Sequence, residues 1–383
     1  MTWTFEVPVL VEEALHAAAR RQLPAALCGG AALTAAVVDR SRRYTSEREK
    51  LAAPGGGAKG SQADLAARAL FFSIADAAKV HLPLGELAGG ALPGPAGFGE
   101  RDELRVLDLG AGCGAMTIGL CTWLAGRGKG RVRATLVDHD ADALAIAKDA
   151  IEIVARELGV DVVASFVPSE VERSETGSKD AGRYDLVLAG SVINELADPL
   201  PLVRHMVRAL APGGVAIVIE PALRETSRAL HHVRDALVAE GAAAVLAPCT
   251  RKTAPCPALL DERDWCHEHR PLQLPPRTRQ LAHVTGLRDG DMKLAYLTLC
   301  RPADAPPPPP AWRVVSDPHA SKGKLELTLC GAPGWVPARL LKRHRSAANR
   351  PLERAHRGDV LTFDPPPTTD APDITAATTV TRP

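Results

Sequence analysis

The chain of 383 residues has almost no net charge, few aromatics and no long apolar run. Its 46 Lys and Arg offset 45 Asp and Glu, a formal net charge of +1. The chain as a whole is no polycation, so any contact with nucleic acid must come from local basic patches. Aromatics make up 4% of the residues, too few for the interleaved stacking platforms of single-strand binders. No apolar run reaches the roughly 20 residues of a membrane span, and no membrane partner is expected. The N-terminus, Met1-Thr-Trp-Thr-Phe-Glu-Val-Pro8, lacks a basic segment followed by an apolar core. Glu6, Glu12 and Glu13 argue against a transit peptide, so a cytoplasmic location is the expectation. Tight Cys-x-x-Cys pairs are also missing, although there are eight cysteines. In a large intracellular chain these are expected to stay out of disulfides.

What is present divides the chain. Residues 1–95 read as a helical region, with Val11, Leu15, Ala18 and Ala19, and later Leu70, Ile74, Ala77 and Ala78, at helical spacing. A basic stretch, Asp39-Arg-Ser-Arg-Arg-Tyr44, lies between them. Gly55-Gly-Gly57 marks a flexible loop, and the Gly and Pro residues between Gly89 and Gly99 mark a linker. Residues 96–300 alternate strand and helix. Strands are predicted at 104–109, 134–137, 161–167, 184–189, 215–219, 243–246 and 293–300. Helices are predicted at 117–124, 141–158, 199–210 and 226–240. This is the signature of an α/β fold with a mostly parallel, Rossmann-like sheet. Residues 301–310 hold the run Pro306–Pro310, a polyproline II spacer by composition. Short strands are predicted over 311–363, a small basic β domain, and the Pro/Thr-rich tail 364–383 is expected to be disordered. No internal repeat is visible.

Asp108-Leu-Gly-Ala-Gly-Cys-Gly114 sits where the first of these strands becomes a helix. Without a Cβ, Gly110 can make the tight turn and Gly112 lets a ligand approach the backbone. Asp138, ending the next strand, is placed to accept from two ribose hydroxyls. Gly110-x-Gly112-x-x-Ala115 also satisfies the dinucleotide fingerprint. Asp108, two residues before the first glycine, favours S-adenosyl-L-methionine. So do the later strands Tyr184–Gly190 and Pro212–Glu220, which resemble strands four and five of class I methyltransferases. The cofactor-binding set is Asp108, Gly110, Gly112, Gly114, Asp138 and Ser191. No Asn/Asp-Pro-Pro-aromatic motif stands at Ala189-Gly-Ser-Val-Ile-Asn-Glu195, where amino-group methyltransferases grip the target nitrogen. Asn194 and Glu195 can bond a substrate or cap the following helix, and no catalytic residue is assigned.

Cys249, Cys256 and Cys266 form a cysteine-rich insertion at about 247–285, with Pro255 and Pro257 stiffening the middle loop. A metal or cluster would cross-link a segment with little apolar surface. Cys-Pro is a common setting for iron–sulfur ligands. Zinc also accepts four thiolates, and spacing alone leaves cluster, zinc and unliganded thiols open. The fourth thiolate would be Cys300 or Cys330.

The sequence resembles the methyltransferase-like ribosomal small-subunit proteins, whose mitochondrial members act in small-subunit assembly. The residues that carry the resemblance run from Asp39–Tyr44 through Asp108–Gly114, Asp185-Leu-Val-Leu-Ala189, Glu195-Leu196 and Glu220-Pro221. They continue with Ala247-Pro-Cys249, Pro255-Cys-Pro257, Trp265-Cys-His267, Lys293–Leu299 and Leu329-Cys-Gly-Ala-Pro-Gly334. The resemblance implies a 4Fe–4S cluster on Cys249, Cys256, Cys266 and Cys330, and a last domain folded back and pinned by it. The loop Ala222-Leu-Arg-Glu-Thr226 departs from the glycine-containing family pattern, and the cysteine loop is slightly longer than expected.

Arg339, Lys342, Arg343, Arg345, Arg350, Arg354 and Arg357 crowd the last folded segment, while Arg263, Arg270, Arg277 and Arg279 surround the cysteine loop. Such density suggests a phosphate-facing surface. The resemblance implies the small ribosomal subunit and its rRNA as partners, for a methyltransferase by fold that acts in rRNA methylation or assembly. The alternatives are a non-enzymatic assembly factor with a structural S-adenosylmethionine site, and a small-molecule methyltransferase with a zinc staple.

Overall fold

A parallel strand covered on both faces must be apolar nearly throughout. Three segments meet that demand: β2 (Leu104–Leu109), β5 (Tyr184–Gly190) and β6 (Leu210–Pro221), whose middles are buried without a break. In the computed structural model they form the centre of a nine-stranded sheet. The structure describes residues 4–46, 61–89, 101–128, 130–171 and 183–383, with Leu92, Gly94, Pro95 and Phe98 between. The expected loop at Gly55–Gly57 and most of the expected linker at 89–99 lie outside the described residues.

On one side of the centre the sheet continues through β3 (Arg131–Asp138) to β4 (Asp161–Pro168), all parallel. On the other side β6 pairs antiparallel with β9 (Asp291–Cys300). The far edge of β9 is shared by β7 (Ala244–Ala247) and β8 (Glu268–Gln273), both antiparallel to it. One reversed strand beside the fifth parallel strand is the topology of class I S-adenosylmethionine methyltransferases. The helix Ala141–Leu158 shows how local sequence fixes such a unit. Asp140 caps its start by accepting from the amides of Asp142 and Ala143, and Gly159 ends it in the left-handed conformation. Its buried stripe, including Leu144, Ala147, Ile151 and Val154, lies against the sheet.

Two expected boundaries are corrected. The N-terminal helical region is not a separate body. β1 (Phe5–Glu6) joins the main sheet beside β8, and Leu15, Phe71 and Ile74 share one core with Val106 and Ile217. The cysteine-rich insertion is likewise not an appendage along its whole length. Glu268, Arg270 and Leu272 point alternately inward, which makes the segment a strand of the sheet, and the helix Pro276–Thr285 follows it. The proline run does not hang free either, since Pro306–Pro309 line a cavity with Val238 and Ala243–Leu246.

The C-terminal unit is a second sheet with its own core of Val314, Leu329, Val336, Leu340 and Leu361. Its strands are β10 (Trp312–Val314), β11 (His319–Ser321), β12 (Lys324–Gly331), β13 (Gly334–Leu341), β14 (Val360–Asp364), β15 (Asp373–Ile374) and β16 (Thr379–Thr381). The tail 364–383, expected to be disordered, is therefore ordered as β15 and β16. β15 pairs with β13 and β16 with β14, because Ile374 and Val380 have apolar core to enter.

The two sheets meet through buried charge. Arg313 of β10 donates to Glu268 of β8 at 2.6 Å and to Glu86 at 2.7 Å, and Tyr296 also bonds Glu86. Arg270 pairs with Glu268 at 2.9 Å and donates to the carbonyl of Arg357. Removing one member leaves an uncompensated buried charge. Arg313→Met is expected to lose about 3–5 kcal/mol in denaturant unfolding; a change within experimental error would show that the network does not hold the sheets together.

Candidate functional site

The strand order reverses between β2 and β5, and the crevice at their carboxyl ends is where open α/β sheets take ligands. Every residue there has an identifiable cause for its place. Gly110 turns at φ +66°, and a Cβ on it would lie 2.3 Å from Val192. Gly112 turns at φ +52°, with nothing within 4 Å of where its Cβ would be. Its amide donates to Asp138 Oδ2 at 2.8 Å, while Asp138 Oδ1 accepts from the amide of Asp140 at 2.9 Å. Asp138 thus has one oxygen engaged by each side of the turn, with lone pairs left on both. Gly114 precedes the helix Ala115–Ala125.

Asp108 is fully buried at the end of β2, and Thr117 Oγ1 donates to its Oδ2 at 2.7 Å. Its other oxygen has no partner among the described residues. Burial pushes its carboxyl up to about 7, against the Thr117 hydrogen bonds. Glu220, ending β6, is as deeply buried and was not singled out for a role by sequence reasoning. Its Oε1 accepts from the amides of Val192 and Ile193, and its Oε2 from Asn194 Nδ2 at 2.6 Å. It shapes the loop after β5, where Ser191 takes a positive φ of 61°. Burial raises Glu220 to about 7 as well. Asn194 does not cap the helix Leu200–Ala209, whose first amide is instead met by Asp198. The N-terminal region also reaches this end of the sheet, where Arg68 pairs with Asp140.

The second assembly is a cavity lined by Cys249, Cys256, Cys266 and Cys330 together. Cys300, the other candidate, is buried at the end of β9 and is not among its lining residues. The cavity's free volume is ≈ 30 Å³. Burial and the neighbouring thiols push Cys256 and Cys330 up to about 12 and Cys266 upward as well. Among the described residues, no three His, Cys, Asp or Glu side chains are grouped tightly enough to hold a single metal ion.

One helix, Arg224–Ala239, arranges these loops. Arg228 donates to the carbonyls of Ala258, Asp261 and Asp264 at 2.7–3.0 Å. His231 accepts from the amide of Cys266 at 3.1 Å, and Asp235 from the amide of Cys256 at 2.7 Å. Arg234 donates to the carbonyls of Arg251 and Thr253. Sequence reasoning missed this set. Its signal is a polar stripe at spacings of three, three and one in an otherwise amphipathic helix. Cys330 comes in from β12, where Thr250 Oγ1 donates to its carbonyl at 2.7 Å.

The basic surface is smaller than the sequence suggests. Arg339, Arg345 and Arg357 pair with Asp373, Glu353 and Asp317, and Arg270 is buried. Lys342, Arg343, Arg350 and Arg354 are exposed and form no ion pair among the described residues.

A family model described as mitochondrial small ribosomal subunit Rsm22 matches residues 102–362. The chain belongs to this family. The match takes in the glycine turn, all four cavity cysteines and most of the C-terminal sheet. A search of curated proteins returns no significant match. Among solved structures, an arsenic(III) S-adenosylmethionine methyltransferase from Chlamydomonas reinhardtii is similar at 22% identity over 59% of this chain and 72% of that one, TM-score 0.32. A Bacillus halodurans C-125 protein described as a methyltransferase matches at 18% identity over 43% of this chain, TM-score 0.27. A plantazolicin methyltransferase bound to SAH matches at 15% over 50% of this chain, TM-score 0.31. The chain spans 58% and 66% of the lengths of these last two. No described helix is long and apolar enough to cross a membrane.

The two raised carboxyls have a consequence for stability. Between about pH 4, where an unfolded carboxyl ionises, and pH 7, the folded chain keeps protons that the unfolded chain releases. Stability therefore falls as pH rises through that window, by at most about 1.4 kcal/mol per pH unit for each group. Asp108→Asn is expected to flatten this slope in urea titrations between pH 5 and 7.5; an unchanged slope would show that Asp108 is ionised throughout.

Proposed function

We propose that this protein binds S-adenosyl-L-methionine and acts on the small ribosomal subunit and its rRNA, in methylation or assembly, with a 4Fe–4S cluster on Cys249, Cys256, Cys266 and Cys330. The observation that carries it is the family match, which spans the glycine turn and the four cysteines alike. The open space at Gly112 and the free oxygen of Asp108 support the cofactor assignment. Asp108 would accept from the ligand's amino group, Asp138 from the ribose hydroxyls, and Gly110, Gly112, Gly114 and Ser191 would shape the backbone around it. The bound cofactor supplies an electrophilic methyl group. The chain's contribution is to position it, since no residue in the crevice is assigned to proton transfer.

The cysteine cavity fits the cluster by donor chemistry. It offers four thiols and the cations Arg234 and Arg251, and its one carboxylate, Glu268, is neutralised by Arg313 and Arg270. Four thiols from one cavity are the ligand set of a 4Fe–4S cluster, and zinc accepts the same donors.

Gly112→Arg should fill the open space and abolish SAH binding in calorimetry. Small subunits from a deletion strain complemented with this variant then separate the readings. Loss of an rRNA methyl group by mass spectrometry indicates an enzyme; defective assembly with methylation intact indicates a ligand-gated assembly factor; if both survive, neither reading holds. Charge reversal at Lys342, Arg343 and Arg350 should weaken subunit binding and reduce its salt dependence by about one unit per lost phosphate contact. An unaltered salt slope would place the RNA surface elsewhere.

A further inference from the structure

Among the cations lining the cysteine cavity, Arg234 has the most unusual position. It is only 1% exposed and lies in the middle of a helix. A guanidinium stays charged in such a place, and each of its N–H groups needs an acceptor. One terminal nitrogen pairs with Asp235. The other donates to the carbonyls of Arg251 at 2.7 Å and Thr253 at 3.0 Å. The Nε–H is buried and has no acceptor among the described residues.

The neighbouring charges do not resolve this. Asp235 is shared with the Cys256 amide at 2.7 Å, so its charge is spread between the helix and the loop. Arg313, on the same cavity, is answered by Glu268 and Glu86. Arg251 is partly exposed and turned to the carbonyls of Pro255 and Ala332. An unsatisfied donor on a buried cation costs free energy unless an anion meets it.

We propose that Arg234 is the counter-ion of the group held by the four cysteines, and that its charge sets that group's reduction potential. The proposal rests on the cluster assignment above. Four thiolates around an iron–sulfur core make a buried anion, and one-electron reduction adds a further negative charge. A fixed cation in a medium of low dielectric stabilises the reduced form more than the oxidised form. An N–H donated toward a ligand sulfur acts in the same direction. Arg234 is therefore a positioning and tuning residue that is not itself a ligand.

The test uses the full chain, loaded anaerobically with iron and sulfide, as wild type, Arg234→Met and Arg234→Lys, with a thermal melt of each to confirm folding. Iron and acid-labile sulfide are counted, and the midpoint potential is read by dithionite titration with the visible absorbance. The Met variant keeps the bulk and loses the charge; it should hold the cluster and reduce at a more negative potential, with Lys nearer to wild type. A cluster lost from Met and kept by Lys also supports the counter-ion. An unchanged potential in Met overturns the proposal, and so does equal loss of cluster from both variants, which would make Arg234 a structural clamp for the loops. Wild type that takes up no iron or sulfide removes the cluster assignment itself, and this proposal with it, before any variant is compared.

Discussion

The cysteine loops between β7 and β8 contain one short turn of helix and otherwise irregular backbone, so their amides and carbonyls need partners from elsewhere. The helix Arg224–Ala239 supplies them, and much of the molecule's organisation depends on that. Arg228 collects three carbonyls, Arg234 two more, and His231 and Asp235 each take the amide of a cysteine. The loops are thus held by side chains of a rigid element.

The same helix ties the two candidate sites into one frame. It begins three residues after Pro221, at the end of β6, where Glu220 braces the loop beside the glycine turn. From Arg228 to Asp235 it grips the cysteine loops, which in turn meet β12 of the second sheet through Thr250 and Cys330. The Arg313–Glu268–Glu86 network makes a second, independent connection between the sheets and reaches back to the N-terminal helices. The C-terminal sheet is therefore seated by ion pairs and hydrogen bonds.

Much of this was legible in the residues. Continuous apolar runs announce the central strands, and the αL positions at Gly110, Gly112 and Gly114 follow from three glycines at a strand end. The helix Ala141–Leu158 could be bounded to the residue, because a carboxylate cap and a left-handed glycine are local signals. The ordered tail was not legible. Its strands are two and three residues long and polar except for Ile374 and Val380, and their stability comes from pairing with β13, 34 residues earlier in the chain, and with β14, 15–19 residues earlier. β8 was missed for a related reason: Glu268 and Arg270 on its inward face read as surface until Arg313 arrives from another sheet to pair with them.

By itself the sequence determined the parallel sheet, the glycine turn with its two acids, and a set of three closely spaced cysteines whose role it left open. These rest on propensity, periodicity and backbone stereochemistry, which act over a few residues. Spacing left Cys300 and Cys330 open, the family resemblance implied Cys330, and the tertiary structure places Cys330 in the cavity with the other three. Only the tertiary structure decided that Arg234 stands buried beside them. It also decided which arginines remain exposed and unpaired on the C-terminal sheet. These are matters of which charges and donors meet across long separations. Pairing, burial and hydration change a side chain's role without changing its identity, so the residue string alone does not contain them.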